Sequence, residues 1–326
     1  MSINYPLKFE PILKERIWGG NKLSTVLNKN TQKDNIGESW ELSDVKGDVS
    51  VIANGKYKGK SLEFLIDEYR GSLLGKKVYD RFGKKFPLLI KFIDAKEALS
   101  IQLHPHDDLA KKRHDSFGKT EMWYVMQADE GSNLIVGFKK DSNKEEYLKY
   151  LKNKSLLEIL NVDKVKKGDV YFIPTGRIHA IGAGVLLAEI QQTSDVTYRI
   201  YDWDRKDDQG NGRELHTELA LDAIDYKAID NYTTDYKSEL NKSVNVVDCQ
   251  YFTTNIIDLD GTLTVDNSDK DSFVIYMAVD GMATVVYNDG EEVLLNKGQT
   301  ILMPACLTNF VLKSEQKAEL LEVFIK

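Results

Sequence analysis

Gln102 and His104 stand two apart in Leu99-Ser-Ile-Gln102-Leu-His104-Pro105, and Glu121 opens a later apolar run. His179 closes the segment Gly168-Asp-Val-Tyr-Phe-Ile-Pro174-Thr-Gly176-Arg-Ile-His179. A two-residue period puts Gln102 and His104 on one face of a strand and Ile101 and Leu103 on the other. Two imidazoles, a carboxylate and an amide oxygen make three good metal ligands and one weak one, with room left for water or substrate. That is the pattern of a catalytic rather than a structural zinc site. One zinc ion per chain is therefore expected, ahead of iron, manganese or nickel, which spacing alone does not separate. Any one of these histidines taken singly reads as a hydrogen-bonded core residue; the joint pattern carries the metal reading. His106 and His114 are expected to be exposed, and His216 to cap or pack a helix.

The elements that must position these groups are mostly strands. Gly168 and Asp169 turn the chain, residues 170–173 read as a buried strand, Pro174 ends it, and Gly176 lets the backbone pass close to whatever His179 binds. Further strand-like runs cover 86–93, 99–104, 121–127, 133–138, 185–191 and 196–201. Helical pattern is sparse. It covers 61–74, where Leu62, Leu65, Ile66 and Tyr69 fall at helical spacing. A second helix opens at Ser142, with Glu145 completing a capping box, and a third follows Glu214. An all-β-dominated sandwich or barrel with a few short helices is expected.

The chain also repeats itself. Gly298-Gln-Thr-Ile-Leu-Met-Pro304-Ala-Cys306-Leu-Thr-Asn309 has the spacing of Gly168 to His179, and Tyr276-Met277-Ala-Val-Asp280 echoes Val125-Met126-Gln-Ala-Asp129. Two copies of one barrel are implied. Asn309 stands where His179 does, Ser272 falls at the place of Glu121, and no histidine follows His216, so the second copy lacks ligands. Polar, aperiodic residues over 226–245 read as a linker. They divide the chain into a metal-binding domain with helical additions, 1–240, and a degenerate domain, 241–326.

Composition narrows the function classes. The 326 residues carry a formal net charge of −7, which supplies no overall basic face for nucleic acid and requires local cations for any anionic substrate. Two cysteines, Cys249 and Cys306, fit a reducing compartment and exclude a disulfide framework. The N-terminal residues lack a signal-peptide pattern, and no stretch approaches 18 apolar residues. A cytoplasmic protein without membrane spans is expected. Its oligomeric state is not written in any pattern of this kind.

The segments Phe-Pro-Leu-Leu-Ile-Lys91, Gln102-Leu-His104-Pro-His, Gly118-Lys119-Thr-Glu121-Met-Trp-Tyr, Pro174-Thr-Gly-Arg-Ile-His179 and Glu189-Ile-Gln-Gln-Thr-Ser-Asp195-Val-Thr-Tyr-Arg199 resemble the cupins. Within the cupins they are similar to the mannose-6-phosphate isomerases of the short bacterial type. The resemblance covers nearly the whole chain. It implies two double-stranded β-helix (jelly-roll) barrels and the reversible interconversion of mannose 6-phosphate and fructose 6-phosphate. It makes Gln102, His104, Glu121 and His179 the zinc ligands, Arg199 the catalytic arginine, and Lys119 a lysine beside the sugar.

Such a reaction removes a proton next to a carbonyl, holds an enediol, and returns the proton to the neighbouring carbon. The metal and the permanent charge of Arg199 suit the developing oxyanion. Glu189, Asp195 and a metal-activated water are the candidate bases, with Asp195 also placed to bind substrate; the resemblance leans to Glu189. Lys119, Arg199, Lys91 and Arg177 are the candidate phosphate-binding cations. Two other readings stay open. A metal-dependent cupin dioxygenase is disfavoured by Gln102, and a non-catalytic sugar-phosphate-binding cupin is disfavoured by the complete ligand set of the first repeat.

Overall fold

The structure is a computed structural model that describes residues 3–207 and 209–326. Two open antiparallel sheets face one another in the first part of the chain. One runs in the spatial order Ile12–Gly20, Ile36–Leu42, Leu88–Ala95, Val185–Gln192, Glu121–Ala128, Val170–Ile173. The other runs Tyr198–Tyr201, Ile101–Leu103, His179–Ile181, Asn133–Phe138, Leu160–Lys164.

Strand parity decides what each face carries. In the six-stranded sheet Ile90, Phe92, Met122, Tyr124, Ala188 and Ile190 pack outward with the helices, while Ile93, Trp123, Val125, Val185 and Leu187 turn toward the other sheet. Lys91, Glu121 and Glu189 share the parity of this inner set. In the five-stranded sheet Ile101, Leu103 and Ala180 join an outer apolar cluster, and Leu134, Val136 and Ile181 face inward. Gln102, His104 and His179 share the inner parity, as the sequence pattern predicts for the first two.

The strands expected at 133–138 and 170–173 occur with those bounds, as Asn133–Phe138 and Val170–Ile173. Ser61 caps the helix Leu62–Tyr69 by accepting from the Phe64 N–H, and Leu62, Leu65, Ile66 and Tyr69 are its buried face. Arg70, at φ 48°, breaks it before Gly71–Leu74. The next cap lies one residue beyond the expected one. Asn143 accepts from Glu146 N–H, while the Ser142 hydroxyl donates to the Glu146 carboxylate. The third helix is the short Thr217–Leu221. Helix Asp107–His114, capped by His106, carried no apolar period to announce it.

The later strands form a third, seven-stranded sheet, built on the long pair Thr253–Asp266 and Asn309–Phe324. Its outer face does not stand apart: Ile256, Ile275, Met277, Leu321 and Val323 share one core with the back of the six-stranded sheet. The expected linker is likewise anchored. Thr234 N–H donates to Val170 O, the Tyr236 hydroxyl to Gly168 O, and the Tyr232 hydroxyl to Phe138 O, and strand Ser243–Asp248 begins inside it. Polar composition there reflects half-exposed residues stitched to the first sheets, not a free tether.

Strand pairing in the two parts of the chain corresponds, in a register that differs by two residues from the sequence echo, although the sheets do not close into two barrels. A bulge lets Leu187 oppose Val125 and Leu186 oppose Gln127; a matching bulge lets Leu320 oppose Ala278 and Glu319 oppose Asp280. Gly168 N–H donates to Val125 O, and Gly298 N–H to Ala278 O. The counterpart of Glu121 is thus Val274, not Ser272, and Glu322 occupies the seat of Glu189, opposite Tyr276 where Glu189 opposes Trp123. Asn309 is exposed and pairs with Asp266.

Candidate metal centre and active-site cavity

Gln102, His104, Glu121 and His179 converge between the two facing sheets. His179 is the ladder partner of Gln102, and Gln191, beside Glu189 on the central strand, is that of Glu121. Nε2 of His104 lies 3.5 Å from Glu121 Oε2, and Nε2 of His179 lies 3.4 Å from Glu121 Oε1. Candidate ligand atoms of His104, Glu121 and His179 all lie within 4.8 Å of one another. The Gln102 amide meets Nε2 of His179 at 3.5 Å, and a half-turn of that amide presents Oε1 instead.

The outer ring nitrogens fix the tautomers. Nδ1 of His104 lies 2.8 Å from Val196 O, and Nδ1 of His179 lies 2.9 Å from Arg177 O. A carbonyl only accepts, so each Nδ1 carries the proton and each Nε2 presents a lone pair inward. Burial, with Lys119 and His179 nearby, pushes His104 well below the usual histidine range, and burial pushes His179 down to about 3. Both rings are neutral near pH 7. Glu121 Oε1 is fully buried and has no hydrogen-bond partner among the described residues. An orphaned carboxylate oxygen facing an imidazole lone pair is an arrangement of two acceptors that a cation between them satisfies, so the donor set fits a divalent ion.

Burial and Glu189 raise the Glu121 carboxyl to about 7. The Lys119 ammonium opposes this, donating to Glu121 Oε2 at 2.8 Å and to His104 Nε2 at 3.0 Å. Although Lys119 precedes the strand rather than lying in it, its side chain arrives on the expected face. Burial alone would lower its pKa, and the carboxylates of Glu121 and Glu189 outweigh that and raise it. Glu189 is held on both sides: Lys91 Nζ lies 3.0 Å from Oε1, and the Trp123 indole N–H donates to Oε2 at 2.8 Å. Burial alone would raise its carboxyl, but Lys91 and Lys119 overcome it and hold it at about 2.

A cavity of about 550 Å³ opens from this cluster. Lys91, Gln102, Lys119, His179, Glu189, Asp195 and Arg199 all line it. Arg199 opposes Gln102 in the ladder; its Nε donates to the Ser100 hydroxyl, which donates to Gln102 Oε1. Asp195 is exposed at the mouth. Arg177 does not reach the cavity: its guanidinium donates to Phe172 O and lies over the Tyr232 ring. Gly176, at φ +83°, crosses close to the Ala223–Asp225 backbone rather than to a ligand, and its N–H donates to His104 O. His106 and His114 are exposed, and His216 starts the short third helix and stacks on Tyr198.

The opposite wall, built by Lys14, Arg16, Trp18, Glu38 and Trp40 from the first two strands, and Arg213 were not anticipated from the residue pattern. Glu38 accepts from Arg16 Nε at 2.9 Å and from the Trp40 indole at 2.6 Å. Lys14-Glu-Arg16-Ile-Trp18 carries no apolar alternation that would set it apart from any half-exposed strand.

A family model described as "Phosphomannose isomerase type I, catalytic domain" matches residues 7–133, and one described as "Mannose-6-phosphate isomerase, cupin domain" matches 242–324. The mannose-6-phosphate isomerase ManA of Bacillus subtilis is 35% identical over 316 residues, covering 94% of this chain and 96% of that protein. The mannose-6-phosphate isomerase of Streptococcus mutans is 36% identical over 300 residues, 92% of each chain. The crystal structure of the mannose 6-phosphate isomerase from Bacillus subtilis superposes with a TM-score of 0.87 at 33% identity, covering 98% of this chain and 99% of that one. Similarity of this extent, over a chain whose buried His-Glu-His cluster heads a cation-lined cavity, shows that the protein belongs to the mannose-6-phosphate isomerase family of enzymes.

Proposed function

We propose that this chain is a zinc-dependent aldose-ketose isomerase that interconverts mannose 6-phosphate and fructose 6-phosphate through an enediol. One observation carries the reading: two inward imidazole lone pairs and a half-partnered buried carboxylate meet at the head of a cavity walled by cations. Gln102, His104, Glu121 and His179 would hold one zinc ion, which when bound supplies a Lewis acid. The remaining steps fall to side chains. The acceptors that now engage Lys119 are those the ion would use, which frees the ammonium to give a proton to a sugar oxygen. Arg199, always charged and fastened through Ser100 to the Gln102 amide, stabilises the oxyanion of the enediol; a donor in such a place is worth about 10² to 10³ in rate.

Asp195, at the mouth, accepts from sugar hydroxyls and is the side chain left to take the carbon-bound proton and return it to the neighbouring carbon. Glu189, with both oxygens engaged and its carboxyl at about 2, is a weak acceptor for a carbon-bound proton. Its proposed part in catalysis is to fix Lys91 and the Trp123 indole beside the reacting carbons. Trp18, Trp40 and Trp123 keep bulk water from the centre.

The chain divides in this reading into a catalytic cupin barrel, 1–240, and a degenerate one, 241–326. Among the described residues no helix is long and apolar enough to cross a membrane, and the free thiols Cys249 and Cys306 fit the cytoplasm.

A coupled assay of mannose 6-phosphate conversion, with metal analysis, tests the proposal. Zinc with turnover supports it. Iron with oxygen consumption would establish a dioxygenase, and substrate binding without turnover a sensor. His104→Ala and His179→Ala should lose metal and activity together, and full activity in a metal-free variant overturns the site.

A further inference from the structure

Each lysine and arginine of the cavity wall has a carboxylate of its own except at one corner. Lys14 pairs with Asp48, Arg16 with Glu38, Lys91 with Glu189 and Lys119 with Glu121. Asp202, by contrast, is shared. Its 5%-exposed carboxylate takes Arg213 through Nε at 2.7 Å and Nη2 at 2.6 Å, and also Arg205 through Nη2 at 2.6 Å. Arg199 stands beside them with no carboxylate within ion-pair distance among the described residues, its Nη1 donating to Glu214 O. Three guanidiniums around one carboxylate leave a surplus of two positive charges. The further acids, Glu214 beside Arg199 and Asp195 at the cavity mouth, are exposed and so weakly felt. A phosphate monoester carries about −1.5 to −2 at pH 7, which matches that surplus.

The two cavity-lining arginines are not equivalent. Arg199 is tied to the Gln102 end through Ser100, so it serves the carbonyl end of a bound sugar. Arg213 is clamped by Asp202 along its Nε–Nη2 edge, which leaves Nη1 without a hydrogen-bond partner among the described residues and the side chain lining the cavity. A guanidinium held on one edge and open on the other is pre-ordered to receive an anion, because its rotamer entropy is already spent.

We infer that Arg213, held in place by the buried Asp202, is the residue that anchors the substrate's phosphate and sets the preference for a phosphorylated sugar. The inference rests on the isomerase reading for the identity of the substrate. It assigns the phosphate end to the loop after strand Tyr198–Tyr201, and not to Lys91 or Lys119, whose charges are each matched by a buried carboxylate.

The test compares wild type, Arg213→Ala and Arg213→Lys. In Arg213→Ala the KM for mannose 6-phosphate should rise about 10- to 100-fold, with kcat falling far less, as expected for loss of a charge-assisted anion contact. Competitive inhibition by inorganic phosphate should weaken by a similar factor, and Arg213→Lys should recover part of both. Unchanged KM and unchanged phosphate inhibition in Arg213→Ala overturn the inference, as does a loss confined to kcat. Thermal-shift titration of the same proteins with inorganic phosphate separates the two readings. Phosphate protection that disappears in Arg213→Ala keeps the anchor even if wild type fails to isomerise the sugar, and protection equal in both proteins removes it even if isomerisation is confirmed.

Discussion

Replacing Glu189 by Gln isolates the electrostatic core of the first sheet. The amide keeps the volume and can still accept from the Trp123 indole, so the change removes one charge with little change of shape. Lys91 and Glu189 are 6% and 3% exposed and 3.0 Å apart. Two unit charges at that distance attract by about 5 to 6 kcal/mol at an effective dielectric near 20, against a desolvation cost of several kcal/mol per ion. Removing one partner of such a buried pair strands the other and costs about 3 to 5 kcal/mol. The lower end applies here, since Lys91 lies 5.3 Å over the Trp40 ring and near Glu38.

The pH dependence gives an independent figure. A carboxyl held at about 2, instead of its ordinary value near 4.3, is worth about 3 kcal/mol. Because the folded value is depressed, that stabilisation is complete above about pH 5 and fades as pH falls toward 2. Urea unfolding of metal-free wild type and Glu189→Gln should therefore differ by about 3 kcal/mol at pH 7, by about half of that near pH 3, and converge toward pH 2. The apolar pair Lys91→Met/Glu189→Leu should be much closer to wild type than Glu189→Gln is. A difference under 1 kcal/mol at pH 7, or one that does not narrow in acid, would refute the argument that this pair is buried and matched.

Other consequences are read separately. Metal-free Glu121 keeps its proton up to about pH 7, so zinc affinity measured by chelator competition should fall about tenfold per pH unit below 7; a flat profile would exclude Glu121 as the ligand that titrates. The same raised carboxyl makes the chelated protein lose stability as pH climbs from about 4.5 to 7, the opposite slope to Glu189. Gly176→Ala forces a Cβ within 2.6 Å of Ala223 O at φ +83°, and should lower stability by about 1 to 3 kcal/mol and loosen metal retention through the bond to His104 O; an unchanged melting temperature counts against this. Asn309→Ala, at an exposed ladder position, should leave kcat within a few-fold, and a large loss without unfolding would give the second sheet a catalytic part.

Local pattern determined a good deal of this protein. Strand parity, a property of two successive residues, already placed Gln102 and His104 on one face and Ile101 and Leu103 on the other, and the facing sheets keep that division. The glycine and proline punctuation around Val170–Ile173 delivered His179 to the same space. Donor chemistry then limited what four such groups can do together. The tertiary structure alone decided which charges meet. Lys91 and Glu189 are ninety-eight positions apart and become partners only because Leu88–Ala95 and Val185–Gln192 pair in one register. The pairing that seats Glu322 opposite Tyr276 sets the repeat two residues away from the sequence echo, and nothing in the local sequence marks it. Arg213 and Asp202, both outside the strands, become neighbours of Arg199 only when the chain folds back over the cavity. Alternation along a strand is set by backbone geometry within a few bonds, whereas register and charge matching come from contacts between distant segments, and those are settled by burial of the whole core.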